Sequence, residues 1–154
     1  MAGLRRKIAD RIAAQFALIR ARRLLATAPI GALTKRRDGD ALIASTADRQ
    51  HGAPEPNRSL TEAQPRATAL ADAVQWTAAH GLFRPFCLVQ ALALQALLAS
   101  EGIEGSEIRV GVRRDGNSLK AHAWVRWNGQ VLGDTPQYIS AFTEVDDIGV
   151  LGLR

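Results

Sequence analysis

The chain holds one cysteine and three histidines, and three of its residues, Cys87, His122 and Asp134, stand in an order that suits thiol chemistry. Cys87 opens the run Phe86-Cys87-Leu88-Val89-Gln90-Ala91-Leu92-Ala93-Leu94. Apolar residues recur there at helical spacing, which puts the sulfur in the first turn of a helix. Unpaired N–H groups and the positive end of the helix dipole stabilise a thiolate at that position and can later face an oxyanion. His122 would hold the thiolate as an ion pair and then protonate a leaving amine, while Asp134 would fix the imidazole tautomer and orientation. Water would release the acyl-enzyme. Taken singly, each residue has an ordinary reading: a cysteine is a small core hydrophobe, a strand histidine a polar contact, and an aspartate before Thr135-Pro136 a turn residue. Only the conjunction points to catalysis.

These three residues need particular elements to position them. Pro85 suits the beginning of a helix that runs from Cys87 to a stop at Gly102. Beyond it the period changes to two. Ile108, Val110 and Val112 alternate with Arg109, Gly111 and Arg113, and Leu119 to Trp127 continues the alternation with His122, Trp124 and Arg126 on one face. The turns Asp115-Gly116-Asn117 and Asn128-Gly129 join these strands to Gln130–Asp134 as an antiparallel meander, one face of which the Cys87 helix should cover. A two-residue Asn128-Gly129 loop would leave His122 and Asp134 on different faces. The expected register therefore has a three-residue loop, Trp127-Asn128-Gly129, with Gly129 left-handed in a bulge, which sets Asp134 directly across from His122. Trp124 shares the His122 face, either packing as a core aromatic, the favoured reading, or walling a substrate cleft.

Upstream, Leu4, Ile8, Ile12, Phe16 and Ile19 predict an amphipathic helix over 4–26, ended by Pro29 and Gly31. Residues 1–37 carry ten Lys/Arg against the single acid Asp10, whereas the remainder holds ten bases and fourteen acids. The net charge of +5 therefore belongs to the N-terminal extension. Three uses fit a basic amphipathic helix: peripheral contact with an anionic membrane through residues 4–26, nucleic-acid binding, or docking on a partner or on its own domain. Packing on the domain is preferred. Nucleic acid is disfavoured, because interleaved aromatics and a recognition motif are missing. Residues 34–60 have a linker composition, and His51 within them lacks a second ligand type at metal spacing. A second helix is expected from Thr61 to His80, stopped by Gly81, with His80 favouring its C-terminal dipole. The division is thus 1–60, basic helix plus linker, and 61–154, catalytic domain. Neither metal nor cofactor is expected. No apolar run approaches the roughly 18 to 20 residues of a membrane span, and a single cysteine fits a reducing cytoplasm, so a cytoplasmic protein is expected.

With these residues in view the sequence resembles a known family. The Phe86–Leu94 run, the Gly102-Ile103 stop, Ile108-Arg109-Val110-Gly111-Val112 and, above all, Ala121-His122-Ala123-Trp124-Val125 are similar to the transglutaminase-like cysteine peptidases of lasso-peptide biosynthesis. These are leader peptidases related to the C-terminal domain of the microcin-maturation B protein. The resemblance covers roughly residues 61–134. It implies an α+β fold with a papain/transglutaminase-like core, helices packed on a small antiparallel sheet, with the N-terminal helix as an extension. It further implies removal of the leader from a ribosomally made precursor peptide, with Cys87, His122 and Asp134 as the matching triad. A separate leader-recognition protein and an ATP-dependent lasso macrocyclase are the implied partners, the chain being too short to hold the recognition domain as well. Gln90 and Arg126 depart from the family pattern, where a basic and an acidic residue are frequent, and bear on substrate and partner contacts rather than on the triad. The same triad would also serve acyl transfer to an amine. A catalytically silent binding module is the competing non-enzyme reading.

Overall fold

The computed structural model describes residues 2–27 and 58–145. His51 and most of the expected linker lie outside the described residues. Three long helices come first: α1 (Ala2–Thr27), α2 (Arg58–His80) and α3 (Cys87–Ser100). The strands follow as β1 (Glu107–Asp115), β2 (Ser118–Trp127) and β3 (Gln130–Leu132), then a single turn of helix, α4 (Pro136–Ile139), and a short β4 (Thr143–Glu144). The antiparallel sheet has the order β3-β2-β1-β4. The fold is therefore α+β, with helices on a small antiparallel sheet.

The central helix α3 is buried along Val89, Ala93, Leu94 and Leu98. It packs against Ala123 and Val125 of the sheet on one side and against α1 and α2 on the other. At its C-terminus Gly102 adopts φ +72. The Ile103 N–H then donates to the Leu98 carbonyl (2.9 Å) and the Gly102 N–H to that of Ala99 (3.0 Å). This is the Schellman arrangement, sealed by buried Ile103 beside Leu98.

The N-terminal helix differs from the sequence expectation in which face it buries. Asp10, Ala14, Leu18 and Ala21 are buried, whereas Leu4, Ile8, Ile12 and Phe16 face outward. Small residues explain the inversion. Ala14 and Ala21 belong to the same core cluster as Ala67 and Ala71 of α2, and alanines let two helix backbones approach more closely than large side chains would. Electrostatics reinforces it, because Arg66 of α2 grips Asp10 with two hydrogen bonds of 2.8 Å. The same guanidinium reaches Glu101 at the end of α3 (3.0 and 2.5 Å), so one side chain ties three helices.

The sheet register also differs from expectation. Trp127 pairs with Gln130, Arg126 with Val131 and Val125 with Leu132. The loop is thus the tight two-residue one, with Asn128 at φ 48 and Gly129 at φ 74, the type I′ geometry that matches strand twist. No bulge forms at Gly129. Strand pairing stops at Leu132, and the next residue, Gly133, is left-handed at φ +80.

Candidate active site

Cys87 is the first residue of α3 and is half-buried. Phe86 occupies the N-cap with extended backbone and provides no side-chain hydrogen bond. Gln90 N–H makes the first intrahelical bond, to the Phe86 carbonyl (3.1 Å). The N–H groups of the first turn, Cys87 to Val89, therefore have neither a preceding helical carbonyl nor a capping side chain, and an anion at the sulfur or beside it would meet them. The loop leading to Cys87 is held from several sides. Gln15 of α1 accepts from the Leu82 N–H (3.2 Å), Arg22 lies over the Phe83 ring (5.0 Å), and the Gln90 carboxamide donates back to the Pro85 carbonyl (2.9 Å). Gln90 thus fastens the approach to the helix.

His122 lies opposite Gly111 of β1 in the part of β2 that β3 does not reach. Its Nε2 is 3.1 Å from Asp134 Oδ2. The tight hairpin alone would not bring these side chains together. Gly133 does so, since its left-handed backbone interrupts the strand alternation and turns Asp134 back toward β2. Aromatic rings surround the imidazole: Trp124 stacked at 6.2 Å, Tyr138 edge-on at 5.2 Å and Phe142 tilted at 5.4 Å. Thr135 caps α4 through a hydrogen bond from the Tyr138 N–H (3.3 Å), and Pro136 follows at its first position. This turn aims Tyr138 at His122. Gly111 is required beneath, because a Cβ there would come within 2.9 Å of the Trp124 ring and 3.0 Å of Phe142.

Cys87, His122 and Asp134 line one cavity of about 260 Å3, together with Gln75, Gln90, Trp124 and Tyr138. Residues from both faces of β2 reach it, which the free edge left by the short β3 permits. With Nε2 directed at Asp134, Nδ1 is the imidazole nitrogen left for a partner in the cavity. A thiol brought to Nδ1 would complete the order carboxylate, Nε2, Nδ1, thiol that a proton relay between an orienting acid and a nucleophile requires. Trp124 has two settings at once: it is 2 % exposed, packs with Ile139 and Phe142, and still contributes to the cavity wall. His80 lies apart, its Nδ1 2.9 Å from the Trp76 carbonyl at the end of α2. Among the described residues no group of three or more His, Cys, Asp or Glu is arranged to hold a metal ion.

Tyr138 and Gln75 also line the cavity, and neither belongs to the Cys, His and Asp pattern of the sequence. Tyr138 is the only tyrosine in the chain, and Thr135-Pro136 before it is a legible helix start that could have drawn attention to it. Gln75 sits in a regular helix with nothing local to single it out.

A family profile described as the Transglutaminase-like superfamily matches residues 9–146, most of the chain. The chain therefore belongs to that superfamily, whose members are typically cysteine proteases or acyltransferases. The match includes most of α1 as well as the sheet. No curated protein and no solved structure matches the chain.

Proposed function

We propose that the protein is a cysteine peptidase that removes the leader from a ribosomally made lasso-peptide precursor. The observation carrying this reading is the Nε2–Asp134 contact of 3.1 Å in a cavity that also contains Cys87 at a helix N-terminus. The superfamily membership and the Ala121-His122-Ala123-Trp124-Val125 motif support it.

The Cys87 thiolate attacks the carbonyl carbon of the scissile peptide bond, forming a C–S bond and a tetrahedral oxyanion beside the first-turn N–H groups. The oxyanion collapses, the C–N bond breaks, and the leaving amine takes the proton held by His122. Asp134 accepts from Nε2–H throughout and keeps Nδ1 directed at the sulfur. His122 then takes a proton from water as the water attacks the thioester. The C–S bond breaks, the peptide leaves as a carboxylate, and the thiolate is restored. Trp124 forms the wall under the imidazole and Tyr138 its rim. In this reading the precursor is delivered by a separate leader-recognition protein, and the released core passes to an ATP-dependent macrocyclase. A cytoplasmic setting, where a lone thiol stays reduced, suits the chemistry.

The test is mass spectrometry of a lasso precursor peptide incubated with this protein and its recognition partner. Free leader and core peptides should appear with the wild type and not with Cys87→Ala. Cleavage that persists without the thiol overturns the mechanism. A leader carrying an added amine instead of a new carboxylate would assign an acyltransferase with the same triad.

A further inference from the structure

Among the described residues most of the outward face of α1 serves neither the site nor the core; only Gln15 and Arg22, at one edge of it, hold the loop before Cys87. Leu4 (67 % exposed), Ile8 (49 %), Ile12 (54 %) and Phe16 (68 %) follow one another at intervals of four. Each step of four advances about 40° around a helix, so the four residues cover an arc of about 120°, with Ile19 in its middle. By the same spacing Arg5 and Arg23 fall inside that arc and Arg20 just outside it, all three exposed. The only acid of the helix, Asp10, is on the opposite side, buried against Arg66. The outer surface of α1 is therefore apolar and cationic, without an anion.

We propose that this face seats the protein on an anionic lipid surface, with α1 lying in the plane of the headgroups. Three features favour lipid. A helix is a convex ridge, and a bilayer conforms to a ridge without a matching groove. The charges flanking the stripe are of one sign, whereas residues 58–145 balance eight bases against eight acids, so an anionic surface attracts this face in particular. Moreover, no helix among the described residues is long and apolar enough to cross a membrane. At 26 residues, about 39 Å of helix lies along the surface and does not span it. Apolar side chains supply the insertion and the arginines the selection of headgroup charge.

Co-sedimentation of the full chain with vesicles tests this. Binding is expected to vesicles containing about a third phosphatidylglycerol, much less to phosphatidylcholine alone, and to weaken as salt is raised. The double variants Ile12→Asp/Phe16→Asp and Arg5→Glu/Arg23→Glu should each lose roughly tenfold or more in binding while melting like the wild type. Absence of binding, or binding indifferent to both double variants, overturns the proposal. A fall in melting temperature for Ile12→Asp/Phe16→Asp would mean that the chain itself covers the stripe. Vesicle-independent association, with another copy or with the recognition protein, that the same substitutions abolish would assign the face to a protein. Either result also overturns it.

Discussion

At the scale of single residues, the arrangement depends on Gly133 as much as on the groups with reactive side chains. Its φ of +80 turns Asp134 toward His122, and a Cβ there would approach the Gln75 carboxamide to 3.3 Å. Gly133→Ala should cost about 1 kcal/mol of stability from the left-handed backbone, seen as a small drop in melting temperature. Its effect on turnover should be larger, on the order of tenfold or more, because misplacing an orienting carboxylate removes catalysis faster than it removes fold. Equal turnover would show that Asp134 reaches His122 by another route. That Cys87, His122 and Asp134 would share one cavity was legible in the sequence, because thiol, imidazole and carboxylate are marked by residue type. The device that joins two of them was not. Gly129 and Gly133 both read as turn residues, and only the ladder shows that Asn128-Gly129 closes tightly while the turn toward His122 is made four residues later.

At the scale of elements, the helical layer is clamped through Arg66. Two bonds to Asp10 and two to Glu101 join α1, α2 and α3. Arg66→Ala leaves the Asp10 carboxylate buried without its partner and should cost about 3 kcal/mol, measurable by urea unfolding. The hydrogen bond from Arg66 holds the Glu101 carboxyl below the usual glutamate range. A depressed folded value means that this contact stabilises the protein above the ordinary glutamate pKa of about 4.3 and is lost as the pH falls through the lower folded value. Glu101 is partly exposed, so the effect should be modest. Glu101→Gln should melt below the wild type at neutral pH, and the gap should close in acid. Helix positions and the two-residue period of β1 and β2 were legible from spacing. The buried face of α1 was not, because size was a poor guide where alanines make the contact and the one acid finds an arginine 56 residues away. The same alanines, with Leu18 between them, explain why Leu4, Ile8, Ile12 and Phe16 are left outside.

At the scale of the whole molecule, the N-terminal helix reaches the loop that leads to Cys87. The superfamily match begins at residue 9, within α1. That helix holds the loop before Cys87 through Gln15 and Arg22, while β2 presents His122, and the turn after β3 presents Asp134, to the same cavity. The α+β class could be read from the change of period after Gly102. What could not be read was how the N-terminal helix joins the core, since that contact spans more than fifty residues and leaves no local pattern. Whether Cys87 is a nucleophile supported by His122 and Asp134 is read from the rate at which iodoacetamide alkylates the chain's one cysteine at neutral pH. Rapid labelling of the folded wild type is expected, slowed by on the order of tenfold or more in His122→Ala and to a lesser extent in Asp134→Asn. Slow labelling that neither substitution changes, in variants that remain folded, would contradict that role.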